Sequence, residues 1–162
     1  MPQTKSGGIN IYWEAHGRGE ALVLINGLGY TADMWFRLLP ALTERFRTIV
    51  FDNRGVGRSD APEGAYRIAQ MASDVTAVMD AAGVKRAHVL GHSMGGMIAQ
   101  ELALSFASRV KSLMLTCTTC GGMRASVAAP HVLGQLFSRA HLSPEASARA
   151  LVPQYRLSPE FP

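Results

Sequence analysis

The sequence predicts an α/β domain: a mostly parallel sheet with helices on both faces. Three observations lead there. Short apolar runs of strand length alternate with stretches of helical spacing. Most of those runs are continuously apolar, as strands covered on both faces are. Gly- and Asp-rich punctuation separates them. With 162 residues, 48% of them apolar and 17% charged, the chain has enough material for one packed core and the wrong composition for a disordered one.

Taken in order, Ile9–His16 alternates Ile9, Ile11 and Trp13 with Asn10, Tyr12 and Glu14, the pattern of a half-exposed strand ended by Gly17 and Gly19. Ala21–Ile25 is a buried strand. Thr31–Leu42 spaces Met34, Trp35, Leu38, Leu39 and Leu42 as a helix does, with Pro40 inside the pattern to kink or shorten it. Arg47–Phe51 is a second buried strand, and Asp52–Gly64 is loop. Ile68–Ala82 repeats apolar residues helically, and Gly83 closes it at the position that favours glycine. Ala87–Leu90 is a strand, Gly91–Gly95 a sharp turn, Met94–Ala107 an apolar helix and Val110–Thr116 a further strand. This order is that of parallel strands joined by crossover helices. Beyond Gly122 no strand pattern appears. Ala-rich helical stretches are broken at Pro130, Pro144, Pro153 and Pro159.

The net charge of +4 does not mark a nucleic-acid binder. Residues 1–101 hold ten basic and ten acidic side chains, and the excess lies in singly spaced residues after them. No apolar run approaches the ~20 residues that span a bilayer. Met1–Gly8 is polar and has no signal-like apolar stretch, so the expectation is a cytoplasmic protein without membrane or nucleic-acid partners. Cys117 and Cys120 form a C-x-x-C, too few ligands for a zinc site and more simply a strand end carrying small sulfur residues. Neither a metal nor a cofactor is expected.

The chemistry sits in Gly91-His92-Ser93-Met94-Gly95, a G-x-S-x-G. It follows a strand and opens a helix, the context a nucleophile elbow requires. The turn lifts the Ser93 hydroxyl off the end of the sheet, and the helix N-terminus behind it favours negative charge. Acyl transfer also needs donors for an oxyanion. One is the backbone N–H after the nucleophile, at Met94. The other should come from the loop after an earlier strand, here Asn26-Gly27-Leu28-Gly29, with Leu28 as the donor. Trp35 and Phe36 are candidates for a pocket wall, with core packing an equal alternative. Asp52–Ser59 reads as a structural loop whose side chains satisfy its backbone.

Asn26-Gly27-Leu28-Gly29, then Asp52-Asn53-Arg54-Gly55-Val56-Gly57-Arg58-Ser59, then Gly91-His92-Ser93-Met94-Gly95-Gly96 resembles the α/β-hydrolase superfamily, serine esterase and lactonase type. The resemblance spans residues 9–120 and is greatest to the 3-oxoadipate enol-lactonase group. It implies hydrolysis of a small carboxylic ester or lactone through a Ser93 acyl-enzyme. Asn26 departs from the His common in that turn, a change a backbone donor should tolerate. Ser93 argues against the epoxide hydrolases and dehalogenases of the fold, which use Asp.

A triad needs an acid and then a histidine after the serine. After Ser93 the acids are Glu101, inside the elbow helix, and Glu145 and Glu160; the histidines are His131 and His141. His92 should diverge from its neighbour Ser93, while His88 lies on the strand and His16 is remote. In the family the acid and histidine follow strands beyond residue 122. The resemblance therefore implies an α/β-hydrolase fold truncated after Val110–Thr116. Residues 1–122 would be the N-terminal part of the core and 123–162 the start of a helical cap. The competing reading is a non-catalytic, ligand-binding remnant of such a hydrolase. Val110–Thr116 would then be an open sheet edge prone to self-association.

Overall fold

The computed structural model describes residues 2–121, together with Gly134 and Ala146. Residues 1–125 form one compact unit and residues 126–162 a second. The expectation of a cap over 123–162 lies outside the described residues.

The strands are β1 (Gln3–Ser6), β2 (Ile9–His16), β3 (Glu20–Ile25), β4 (Phe46–Phe51), β5 (Ala87–His92) and β6 (Val110–Thr116). They form one six-stranded sheet in the order β1-β2-β4-β3-β5-β6. β1 and β2 pair antiparallel, as do β2 and β4; the pairs β3–β4, β3–β5 and β5–β6 are parallel. The helices are α1 (Leu39–Thr43), α2 (Ile68–Ala81) and α3 (Met94–Ser105). The mostly parallel α/β sheet that the sequence predicts is the fold observed.

The period-2 geometry of a strand sends successive side chains to opposite faces, and β3 and β4 are apolar on both. Val23, Ile25, Ile49 and Phe51 pack with Val89 against Met71, Val75, Val78 and Met79 of α2 and Ile98 and Leu102 of α3. Leu22, Leu24 and Val50 pack on the other face with Ala32 and Trp35. Fully burying one such aliphatic side chain is worth about 1.5–3 kcal/mol, so these two layers fix the central strands.

Two local expectations shift. Thr31–Leu42 is not one helix: Ala32–Arg37 is 3₁₀, and α1 starts at Leu39 with Pro40 in its first turn. Proline has no N–H to donate and is tolerated only at such a start. β1 is additional to the sequence reading. It pairs antiparallel with β2 and carries polar side chains, so no apolar pattern announced it.

Parallel strands point their carboxyl ends the same way. The loops after β3, β4 and β5 therefore meet at one rim of the sheet, where ligands bind in open α/β folds. At the far edge, β6 pairs on one side only among the described residues, and Leu113, Met114 and Leu115 are exposed.

Candidate active site

Ser93 lies between the end of β5 and the start of α3, with φ 55° and ψ −121°. An L-residue at positive φ outside tight turns costs about 1–3 kcal/mol and persists only where its surroundings enforce it. Those surroundings are specific. The Ser93 N–H donates to the Thr116 carbonyl at 2.9 Å. Its own carbonyl accepts from the Gly96 N–H at 2.9 Å and from the Thr118 hydroxyl at 2.7 Å. The elbow is thus clamped from the end of β6 and the residues after it. Thr118 carries no sequence signal that marks this role.

The glycines of the motif are required by space. A Cβ on Gly95 would run into the carbonyls of Ile25 and Asn26, so only glycine lets α3 begin against the end of β3. A Cβ on Gly91 would meet the Gly96 Cα at 2.7 Å and the Ala99 Cβ at 2.8 Å.

The same close approach brings the loop after β3 to the serine. A Cβ on Gly27 would sit 3.1 Å from the Ser93 Cβ and 3.6 Å from its Oγ. Leu28 follows, more than half exposed. Leu28 and Met94 line one cleft of about 280 Å³, together with Arg54, Val56, Ile68 and Met71. Among the described residues no hydrogen bond occupies the N–H of either Leu28 or Met94, and none engages the Ser93 hydroxyl. The Asn26 side chain shapes the loop instead of touching the serine. Its Nδ2 donates to the Thr31 carbonyl at 2.7 Å, its backbone carbonyl accepts from Asn53, and its buried Oδ1 has no partner.

The loop after β4 braces this rim. Asp52 is fully buried, and its carboxylate accepts from the Ala32 N–H at 2.6 Å and from the Arg58 N–H, Nε and Nη2 at 2.9, 2.8 and 3.1 Å. Burial pushes its pKa up, but the hydrogen bonds from Arg58 and the two amides outweigh that and hold it below the ordinary value. The Arg58 guanidinium also lies 3.9 Å above the Tyr12 ring. Arg54 makes a side-on pair with buried Asp74, Nε to Oδ2 at 2.6 Å and Nη2 to Oδ1 at 2.7 Å. The sequence reading of Asp52–Ser59 as structural matches these contacts, but the reach of Arg54 to Asp74 on α2 was not legible.

Other candidates fall elsewhere. Trp35 is 4% exposed and packs in the core beneath the sheet, away from the cleft of Leu28 and Met94. Phe36 is exposed. His92 turns to the Thr116 hydroxyl at 3.2 Å. His88 sits five residues back along β5, roughly 16 Å of strand, held by the Ser112 hydroxyl at 2.7 Å and Glu20 at 3.0 Å. Lys111 and His88 together pull the Glu20 carboxyl down to about 2. His16 pairs with Glu14, and Glu101 accepts from Ser105 on the surface of α3. His131, His141, Glu145 and Glu160 lie outside the described residues. Cys117 and Cys120 are free and exposed. That exposure departs from the buried strand end the sequence suggested, since both follow the last residue of β6. Among the described residues no group of three or more His, Cys, Asp or Glu could hold a metal, and no helix is long and apolar enough to cross a membrane.

Comparisons with known proteins bear on the fold and the family. RutD of Azorhizobium caulinodans, which bears the name of a carbamate hydrolase, is 43% identical over 115 residues, 71% of this chain and 43% of that protein. The enol-lactonase of Burkholderia xenovorans LB400 superposes with a TM-score of 0.77 at 31% identity, over 94% of this chain and 58% of that one. Est816, described as an N-acyl homoserine lactone degrading enzyme, gives 0.69 at 35% identity, over 73% of this chain and 46% of that one. The chain spans about half the length, or less, of the curated relatives it matches. Residues 20–153 match the family defined by the alpha/beta hydrolase fold, and the chain belongs to that family.

Proposed function

We propose that this chain carries the nucleophile half of a serine hydrolase for a carboxylic ester or lactone. The observation that carries the reading is Ser93, held at φ 55° on a strand–turn–helix with its Cβ against the Gly27–Leu28 loop. In this reading the Ser93 Oγ attacks the substrate carbonyl carbon, and a base takes its proton. The N–H groups of Leu28 and Met94 hold the oxyanion, a type of interaction worth about 2.7–4 kcal/mol per donor. The base returns the proton to the leaving oxygen, whose alcohol departs from an ester or stays tethered in an opened lactone, and water then releases the acyl group from Ser93. The relatives support the class: their names describe a carbamate hydrolase, an enol-lactonase and an N-acyl homoserine lactone degrading enzyme.

The acid and the base of the triad are assigned to residues beyond those described, since no described histidine reaches Ser93. That observation also favours a second reading for the 162-residue chain taken alone, a ligand-binding remnant without turnover. Hydrolysis of 4-nitrophenyl esters separates the two. The hydrolase reading requires release above the buffer rate that Ser93→Ala abolishes. Release that is unchanged in Ser93→Ala rejects it.

A further inference from the structure

The cleft beside Leu28 and Met94 carries two polar side chains, Arg54 and Tyr66, and the Tyr66 hydroxyl already donates to the Pro62 carbonyl at 2.9 Å. Val56, Ile68 and Met71 supply its aliphatic walls, and Arg54 is its one charged lining residue. The Arg54 side chain is nine-tenths buried, so its charge has been taken out of water for a reason. Asp74 satisfies one edge of the guanidinium through Nε and Nη2. A guanidinium has five N–H donors in a planar fork, and the Nη1 edge faces away from that pair. Among the described residues Nη1 has no hydrogen-bond partner and is not sealed from solvent, and Arg54 is a lining residue of the cleft.

Resting on the hydrolase reading of this same site, we propose that the Nη1 edge of Arg54 recognises a neutral carbonyl oxygen within the acyl group of the substrate. The choice of a neutral acceptor over a carboxylate follows from charge. Asp74 is 2% exposed and already neutralises Arg54 at contact distance. A second carboxylate would bring an uncompensated negative charge into an apolar cleft, which costs more than the remaining donors return. A ketone or amide oxygen takes the same donors without that cost. The aliphatic walls accommodate the methylene groups on either side. The substrate class is therefore an ester or lactone whose short acyl chain carries an internal keto or amide carbonyl.

The test is binding, read without turnover. Arginine side-chain resonances of the ¹⁵N-labelled chain are followed while methyl levulinate, methyl valerate or monomethyl succinate is added. The first two differ by one ketone, and the third presents a carboxylate. Arg54 should respond to methyl levulinate with a Kd about tenfold or more below that of methyl valerate, the value of one hydrogen bond to a charged group. Monomethyl succinate should bind no better than methyl valerate. In Arg54→Lys, which keeps a cation for Asp74 but loses the second donor edge, the ester affinities, followed on backbone amides, should converge. Should that variant fail to fold, the double variant Arg54→Met with Asp74→Leu removes the pair together, a change buried ion pairs often tolerate, and the same convergence is required of it. Equal affinities in the wild type, a preference that survives in the folded variant, or tighter binding of monomethyl succinate overturns the proposal. A wild type that prefers methyl levulinate but shows no Ser93-dependent hydrolysis retires the hydrolase reading and keeps the Arg54 assignment. Ser93-dependent hydrolysis without the preference does the reverse.

Discussion

Replacing Asp52 by Asn tests whether one buried carboxylate holds the rim around Ser93. Each of its oxygens accepts two donors: Oδ1 from the Ala32 N–H and Arg58 Nη2, and Oδ2 from the Arg58 N–H and Nε. Asn keeps the shape but turns one oxygen into an NH₂ that faces two donors. An unsatisfied buried donor costs about 1–3 kcal/mol, so two give roughly 2–6 kcal/mol. Arg58 is 30% exposed and can recover water on one side. The expected loss is therefore about 2–4 kcal/mol, a large share of a typical domain's 5–15 kcal/mol. Urea unfolding of both proteins, with matched m-values, measures it. The pH dependence adds a second check. The folded-state pKa of Asp52 is depressed, so its stabilisation is present above the unfolded value of about 3.9 and is lost as pH falls through the folded value. The gap between the two proteins should be full at pH 7 and shrink below about pH 4. A loss under about 1 kcal/mol at pH 7, or a gap that persists unchanged in acid, refutes this account of the rim.

Gly95→Ala should destabilise the chain by about 1–3 kcal/mol, because its Cβ meets the backbone carbonyls of Ile25 and Asn26 and not a movable side chain; a thermal shift within error of wild type would count against the close approach of α3 to β3. Thr118→Val should lower Ser93-dependent ester hydrolysis while leaving circular dichroism unchanged, since the lost hydroxyl holds the Ser93 carbonyl; hydrolysis equal to wild type would show that the elbow needs no clamp from that residue. Among the described residues β6 is an edge strand; that edge should drive self-association, and Leu113→Lys should shift sedimentation toward monomer by placing a charge on an exposed apolar strand. A wild type that is monomeric, with Val110–Thr116 amides as protected from exchange as those of Ala87–His92, would show this edge to be covered.

The parts of the fold legible in the sequence are those whose signal is local. β3 and β4 are continuous apolar runs because both faces are covered. The Gly91–Gly95 spacing announces a turn between strand and helix because Gly91 excludes a clash with Gly95, Gly96 and Ala99 just downstream, whereas the partners of Gly95, Ile25 and Asn26, lie at the end of β3 and were not legible. β1 was silent because Gln3–Ser6 contributes backbone pairing and no core. The single helix expected over Thr31–Leu42 failed because apolar spacing alone does not weigh the missing donor of Pro40. The ionic framework was legible only in part. Asp52 and Arg58 sit six residues apart in one recognisable loop, whereas the pairing of Arg54 with Asp74 joins a loop to a helix twenty residues on. Trp35 illustrates the same limit. An aromatic at helical spacing fits a pocket wall and a core equally well, and only its partners Leu22, Leu24 and Val50 place it in the core.

Mass spectrometry of the chain after mixing with 4-nitrophenyl acetate, quenched in acid and digested, tests the central assignment most directly. Acylation of Ser93 is the first half of the proposed hydrolysis, and the acid quench traps it. A single acetylated peptide containing Ser93 is expected, absent from Ser93→Ala and from protein unfolded in urea before mixing. Acetylation spread over surface lysines and serines with Ser93 unmodified, or labelling that survives unfolding, would contradict it.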